Sequence, residues 1–388
     1  MAFAPASKPV SQINRYRQLA PSASVRVSPL CLGAMNFGDA WKDWMGECNK
    51  EKSFAMLDFF YQQGGNFIDT ANAYQSGESE MWIGDWMKER KNRNEIVLAT
   101  KYSSSPLRHL SGVNQANYGG NGSKSLRLSL ESSLEKLKTT YIDLFYLHWW
   151  DYTVSIPELM HTLNDLAASG KILYLGISDA PAWVVTKANQ YARDHGLRQF
   201  SVYQGLWNAS IRDLEREIIP MCRDEGMGLC PYGTLGQGRF RTETQYKELE
   251  VANEGRSLAR LRSVEKQVSK VLEKISVRKS VPLTSIALAY IMHKTTYVFP
   301  IVGGRKPEHL AANIAALSIE LSPEDIAEIE DAYNFDPGFP HTFLTATIGG
   351  DVKPRGAYNP GEVWLTGTLA NYDWVQRPAP IPPIKLEE

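Results

Sequence analysis

The stretch YIDLFYLHWWD, residues 141–151, decides the fold. From Tyr141 to Leu147 it is apolar or aromatic at every position except Asp143, so it has no polar face to offer water. Continuity of this kind belongs to a strand covered on both sides, as in a parallel sheet wrapped by helices. The strand then runs into His148, two tryptophans and Asp151. An imidazole at the end of such a strand sits where folds of this class place their chemistry.

Working outward, the same pattern recurs. Strands are predicted at PLCLGAM (29–35), NFIDTA (66–71), EIVLATKY (95–102), YIDLFYLHW (141–149), ILYLGISD (172–179), FSVYQGLWN (200–208), GLCPYG (228–233) and YVFPIVGG (297–304). Between them lie segments of helical spacing such as SKSLRLSLESSLEKLK and SIPELMHTLNDLAASG, several ending near glycine. Eight strand–helix pairs joined by right-handed crossovers predict an α/β fold, the (β/α)8 TIM barrel. An open doubly wound sheet is the competitor, but LCLGAMNFGDAW lacks the G-x-G-x-x-G of a dinucleotide fold after its first strand.

The chain reads as a single domain over 1–388, with a barrel core at about 23–334 and a C-terminal extension at about 335–388. Three stretches exceed the minimal plan. The first, 103–123, rich in Ser, Gly and Asn, follows the third strand and is a candidate substrate loop. The second, 239–279, is charged and reads as a solvated helix or a cover over the site. The third ends in RPAPIPPIKLEE, which reads as extended chain.

With 42 basic and 43 acidic residues the formal net charge is −1, which argues against a nucleic-acid partner. Four cysteines are too few and too scattered for a disulfide scaffold, and a reducing compartment is expected. The N-terminus lacks the apolar core of a signal peptide and no segment has the apolar length of a membrane span, so the expected location is cytoplasmic, with no membrane partner. Nothing in the sequence sets an oligomeric state.

The strand ends carry the candidate chemistry. Asp69 closes the second strand, Tyr74 follows five residues later, Lys101 lies at the end of the third and His148 at the end of the fourth. Singly, each has an ordinary structural reading. Together, an ammonium beside a phenol lowers the phenol's pKa, a carboxylate holds the ammonium and an imidazole adds a hydrogen bond, which makes Tyr74 a usable proton donor or acceptor. No metal is required, since phenol and imidazole can stabilise a developing alkoxide.

GGNFIDTANAYQSGESE, IVLATKY and YIDLFYLHWWD, in that order, resemble the aldo-keto reductase family over about residues 23–334. SPLCLGAMNFG, LHWWD and GLRQF are similar to its fungal branch of aryl-alcohol dehydrogenases and norsolorinic acid reductase-like enzymes. The resemblance implies reversible reduction of a small-molecule aldehyde or ketone by a nicotinamide cofactor. In it Tyr74 protonates the carbonyl oxygen, Lys101 tunes Tyr74, Asp69 pairs with Lys101 and His148 orients the carbonyl. It further implies that Ser178, Asp179 and Gln204 meet the nicotinamide amide, with Asp179 standing where the family usually has asparagine. Tyr232 would stack on the nicotinamide ring, and Leu235, Gln237 and Gly238 would follow the pyrophosphate. Gly303, Arg305, His309 and Asn313 would hold the adenosine ribose phosphate. A cation at 305 favours the 2′-phosphate, hence NADP(H).

Phe37, Trp149 and Trp150, with Trp41 and Trp207, fall near strand ends and are expected to form an apolar wall for a flat aryl or polyketide-like carbonyl. Two other readings stand beside this one. The alternative is a cofactor-bound redox sensor or regulatory protein, because potassium-channel β subunits resemble the same family and fold does not decide function. A metal-dependent barrel hydrolase is disfavoured, because the seven histidines show no H-x-H or H-E-x-x-H arrangement.

Overall fold

The structure, a computed structural model, describes residues 5–252, 262–350 and 352–384. It opens with an antiparallel hairpin, β1 (Arg17–Ala20) and β2 (Ala23–Val27). Eight parallel strands follow: β3 (Cys31–Gly33), β4 (Phe67–Asp69), β5 (Val97–Tyr102), β6 (Ile142–Leu147), β7 (Ile172–Ser178), β8 (Phe200–Leu206), β9 (Gly228–Tyr232) and β10 (Ile301–Val302). Neighbours pair in chain order from β3 to β9, and β10 pairs with β3. The ring closes where Leu229 N donates to Tyr297 O (2.9 Å) and Phe299 N to Leu229 O (2.8 Å). All eight strands expected from the sequence are present, and the (β/α)8 barrel with them.

The apolar runs have two destinations. Inside the barrel, Cys31, Phe67, Val97, Ala99, Leu144, Tyr146, Val202, Cys230 and Phe299 form one core. The alternate positions, Leu98, Phe145, Leu147, Leu175 and Ile177 among them, face the helices and join a second core with residues such as Leu130 and Leu163. Period-two alternation therefore vanishes from the sequence, because both faces are buried. Helix Ile156–Ala168 shows how the outer layer is specified. Ser155 accepts from Glu158 N, proline occupies the first turn, and Leu159, Met160, Leu163 and Leu166 form the buried stripe. A cap of this kind is worth ~1 kcal/mol.

The hairpin, which the sequence reading did not foresee, plugs the barrel floor: Leu19, Ala20, Ala23 and Val27 belong to the interior core. It fits so closely that a Cβ on Gly228 would lie 2.3 Å from Leu19 O.

Two further expectations change. In the charged stretch, helix Ser263–Lys279 is neither solvated all round nor a cover, because it buries Val268, Leu272 and Ile275. Its polar side pairs Arg278 and Lys279 with Asp325 and Lys274 with Glu328. Residues 253–261 of that stretch lie outside the described residues. Beyond 335, the chain is anchored by Phe335, which packs under the guanidinium groups of Arg212 and Arg216. It then follows helix Ile218–Asp224 to the floor, where Arg377 and Pro378 lie beside Pro220 and Arg223. Residues 371–384 form no helix or strand, and 385–388 lie outside the described residues.

Candidate active site

The barrel delivers side chains to one mouth, at the C-terminal ends of its strands. Lys101, the penultimate residue of β5, is fully buried, and its Nζ meets Asp69 Oδ1 at 2.5 Å, Thr70 O at 2.7 Å and Tyr74 Oη at 3.4 Å. Asp69 is 3% exposed, and its second oxygen accepts from Gln204 Nε2 at 3.0 Å. Tyr74 follows β4 at the head of a tight turn in which Gln75 and Ser76 adopt positive φ. Gln75, fully buried, accepts from Trp41 N (2.7 Å) and donates to Met35 O (3.2 Å), which fixes the loop after β3 beside Tyr74. His148 packs edge-on against Tyr74 with ring centroids 5.8 Å apart.

A cavity of roughly 390 Å³ opens on these groups, lined by Asp69, Tyr74, His148, Ser178, Asp179, Gln204, Tyr232, Gly233, Gln237 and Gly303, with Met35 and Asn36. Ser178 and Gln204 come together because β7 and β8 pair them in register. Asp179 takes φ +44°, a left-handed conformation that Asp tolerates better than most residues. Both its oxygens lie near the Tyr232 hydroxyl, at 3.3 and 3.2 Å.

The electrostatics differ from the sequence expectation at Tyr74. Burial raises the phenol's pKa, and Lys101 offsets that only in part, so the net direction is up and the phenol keeps its proton at neutral pH. Lys101 is itself disfavoured by burial, yet Asp69 and then Tyr74 hold its pKa above the ordinary value. Burial and the neighbouring Lys101 push His148 down to about 3, leaving a neutral imidazole. Asp179 is pushed up to about 6 by burial, against the pull of Tyr232.

The other candidate residues are spread more widely. Leu235 is half-buried against the outer core, while Gly238 is exposed with φ +81°. Arg305 and His309 are exposed beyond β10, Asn313 is buried, and none of the three lines the cavity. Arg305 lies against the loop after β3, so that a Cβ on Gly46 would fall 1.8 Å from its Nη1. The aromatic residues expected to form a wall fall in different places. Phe37 and Trp207 are fully buried core residues, the latter donating to Glu215, and neither faces the cavity. Trp150 packs on the outer core and Trp149 is 39% exposed with its indole N–H on Ser104 Oγ, both outside the cavity lining. Trp41 is the aromatic beside the chemistry, edge-on to Tyr74 at 6.4 Å and tilted against Trp44 at 5.5 Å. No residue of 103–123 lines the cavity. Met35, Asn36 and Gln75 were not singled out in the sequence, although they flank the first strand and Tyr74.

Ser178 and His148 line the cavity, and among the described residues the buried Ser178 Oγ and His148 Nδ1 have no hydrogen-bond partner, so both residues have polar atoms to give to a ligand. Among the described residues, no group of three or more His, Cys, Asp or Glu is disposed to hold a metal ion, and no helix is long and apolar enough to cross a membrane.

A buried phenol, ammonium and imidazole gathered at the mouth of a parallel barrel are groups suited to proton transfer to a carbonyl oxygen. Residues 29–334 match the Aldo/keto reductase family, and the chain belongs to that family. It is 62% identical over 368 residues to norsolorinic acid reductase B of Dothistroma septosporum, covering 95% of this chain and 94% of that protein. Identity is 54% to an aryl-alcohol dehydrogenase of Pestalotiopsis microspora (97% and 95% covered). It is 49% to the aryl-alcohol dehydrogenase [NADP(+)] of Phanerodontia chrysosporium (87% and 91% covered). The protein is an aldehyde- or ketone-reducing oxidoreductase.

Proposed function

We propose that the protein reduces an aryl or polyketide-like aldehyde or ketone to the alcohol with NADPH, in a reaction that is chemically reversible. The observation that carries this reading is that Tyr74 and His148 line one cavity together with Ser178, Asp179, Gln204 and Tyr232. When bound there, a reduced nicotinamide supplies the hydride. Ser178 Oγ and the Gln204 amide would be the groups suited to its carboxamide, and Tyr232 would flank its ring.

The chain's own residues do the rest. His148 stays neutral and offers a ring N–H to the carbonyl oxygen, which orients and polarises it. Tyr74 gives its proton to that oxygen as alkoxide character develops. Lys101, locked by Asp69 and Thr70 O, stabilises the phenolate left behind. Because the resting phenol is protonated, the site is poised for reduction, and the reverse oxidation calls for the phenolate. Gly303, Arg305, His309 and Asn313 are assigned to the adenosine end, with Arg305 on the 2′-phosphate. The relatives named aryl-alcohol dehydrogenases and Trp41 beside Tyr74 support a flat aryl substrate.

The test is a spectrophotometric panel of benzaldehydes, aliphatic aldehydes and aryl ketones with NADPH and with NADH. Consumption of NADPH with the aryl carbonyls is expected. Binding of NADPH without turnover on any carbonyl would overturn the reading in favour of a sensor.

A further inference from the structure

Asp151 ends the stretch that decides the fold, and the chemistry above leaves it unused. In the structure it forms the half-exposed side of a clasp. Asn121, fully buried, sends its backbone N–H to Asp151 Oδ2 (2.7 Å), and Asp151 returns its own to Asn121 Oδ1 (2.9 Å). The Asn121 amide then donates to Ser103 Oγ (2.9 Å) and to Trp149 O (3.1 Å). Ser103, at the root of the 103–123 loop, also accepts on Oγ from His148 N (3.2 Å) and on its carbonyl from Gly120 N (2.7 Å). Ser103 sits at φ +108°, a strained conformation for a residue with a Cβ, which persists only where its surroundings enforce it.

The clasp fastens both roots of the loop to the chain leaving β6, and so to the backbone of residues 148–151. His148 needs such support, because its ring Nδ1 has no partner among the described residues and its backbone N–H goes only to Tyr102 O and Ser103 Oγ. We propose that Asn121 and Asp151 are positioning residues, which set the imidazole of His148 through the backbone of the turn that carries it. The proposal rests on the reading of His148 as the group that orients the carbonyl. Reacting groups tolerate little displacement: an error of about 1 Å can reduce turnover by about 100-fold.

The test is a double-variant cycle on kcat for benzaldehyde reduction, with NADPH binding measured alongside. Asp151→Asn keeps the volume but replaces one of two acceptor oxygens by a donor, and so survives folding better than Asp151→Ala. It is expected to lower kcat by about tenfold in the native background, leave NADPH affinity unchanged, and lower kcat no further in His148→Ala. An equal fold-loss in both backgrounds, or no loss in the native one, would overturn the proposal. If His148→Ala alone leaves kcat intact, the role of His148 fails first and the positioning role falls with it.

Discussion

Two single residues show how burial reverses what a neighbour alone would do. The pairing of Tyr74 with Lys101 was legible in the sequence, but its sign was not, since the sequence shows the ammonium and hides the dry pocket that opposes it. At Asp179 the same burial gives a carboxyl that titrates at about 6. The titratable groups facing it are Tyr232, Lys101, Tyr74 and Tyr203, of which only Lys101 is a cation. Oxidised nicotinamide is cationic and reduced nicotinamide is not, so with the nicotinamide in the cavity as proposed, ionised Asp179 would favour NADP⁺ over NADPH. That preference is present above pH 6 and is lost as pH falls through it. We expect the ratio of NADP⁺ to NADPH dissociation constants to rise on acidification in the native protein and to be flat in Asp179→Asn. The ratio cancels the titration of the 2′-phosphate itself, which both forms share. His148, held at about 3, contributes no step in that range. For Arg305→Ala, NADPH should weaken by about 10- to 100-fold and NADH little, as for the loss of a charged hydrogen bond. Equal weakening would remove the phosphate assignment.

Elements were the scale at which the sequence spoke most clearly. The strands stood out because burial on both faces produces uninterrupted apolar runs, of which 141–147 is the plainest. Hairpin β1–β2 escaped notice because RQLA and ASVRV are short and mix charge with apolar residues, as a half-exposed plug does. Its fit on the barrel predicts that Gly228→Ala, which sets a Cβ against Leu19 O, destabilises the fold by ~1–3 kcal/mol, read as a lower urea midpoint. An unchanged midpoint would mean that the hairpin is free to move aside. The aromatic residues at strand ends are ambiguous for a related reason. Phe37 and Trp207 look alike in sequence whether they face a cavity or a core, and only packing separates them. The clasp residue Asn121 carries no signal at all within a Ser-, Gly- and Asn-rich loop, because its meaning lies in contacts 18 and 30 residues away.

The whole molecule separates chemistry from support. The cavity lies at one end of the barrel, whereas the hairpin and residues 377–381 lie at the other, beside Arg17, Arg223 and Tyr297. Ending the chain after residue 350 should therefore lower the thermal midpoint, by uncovering Ile219 and Pro220, while leaving kcat unchanged. A loss of kcat with the midpoint preserved would show that the tail reaches the site. The proposed reduction depends on Tyr74 as the proton donor, and the direct measurement is the single-turnover rate of NADPH oxidation by benzaldehyde in Tyr74→Phe. That variant keeps the ring packed against His148 and Trp41 and removes only the hydroxyl. A fall of at least about 100-fold with NADPH affinity intact is predicted. A single-turnover rate equal to that of the native protein would contradict the account.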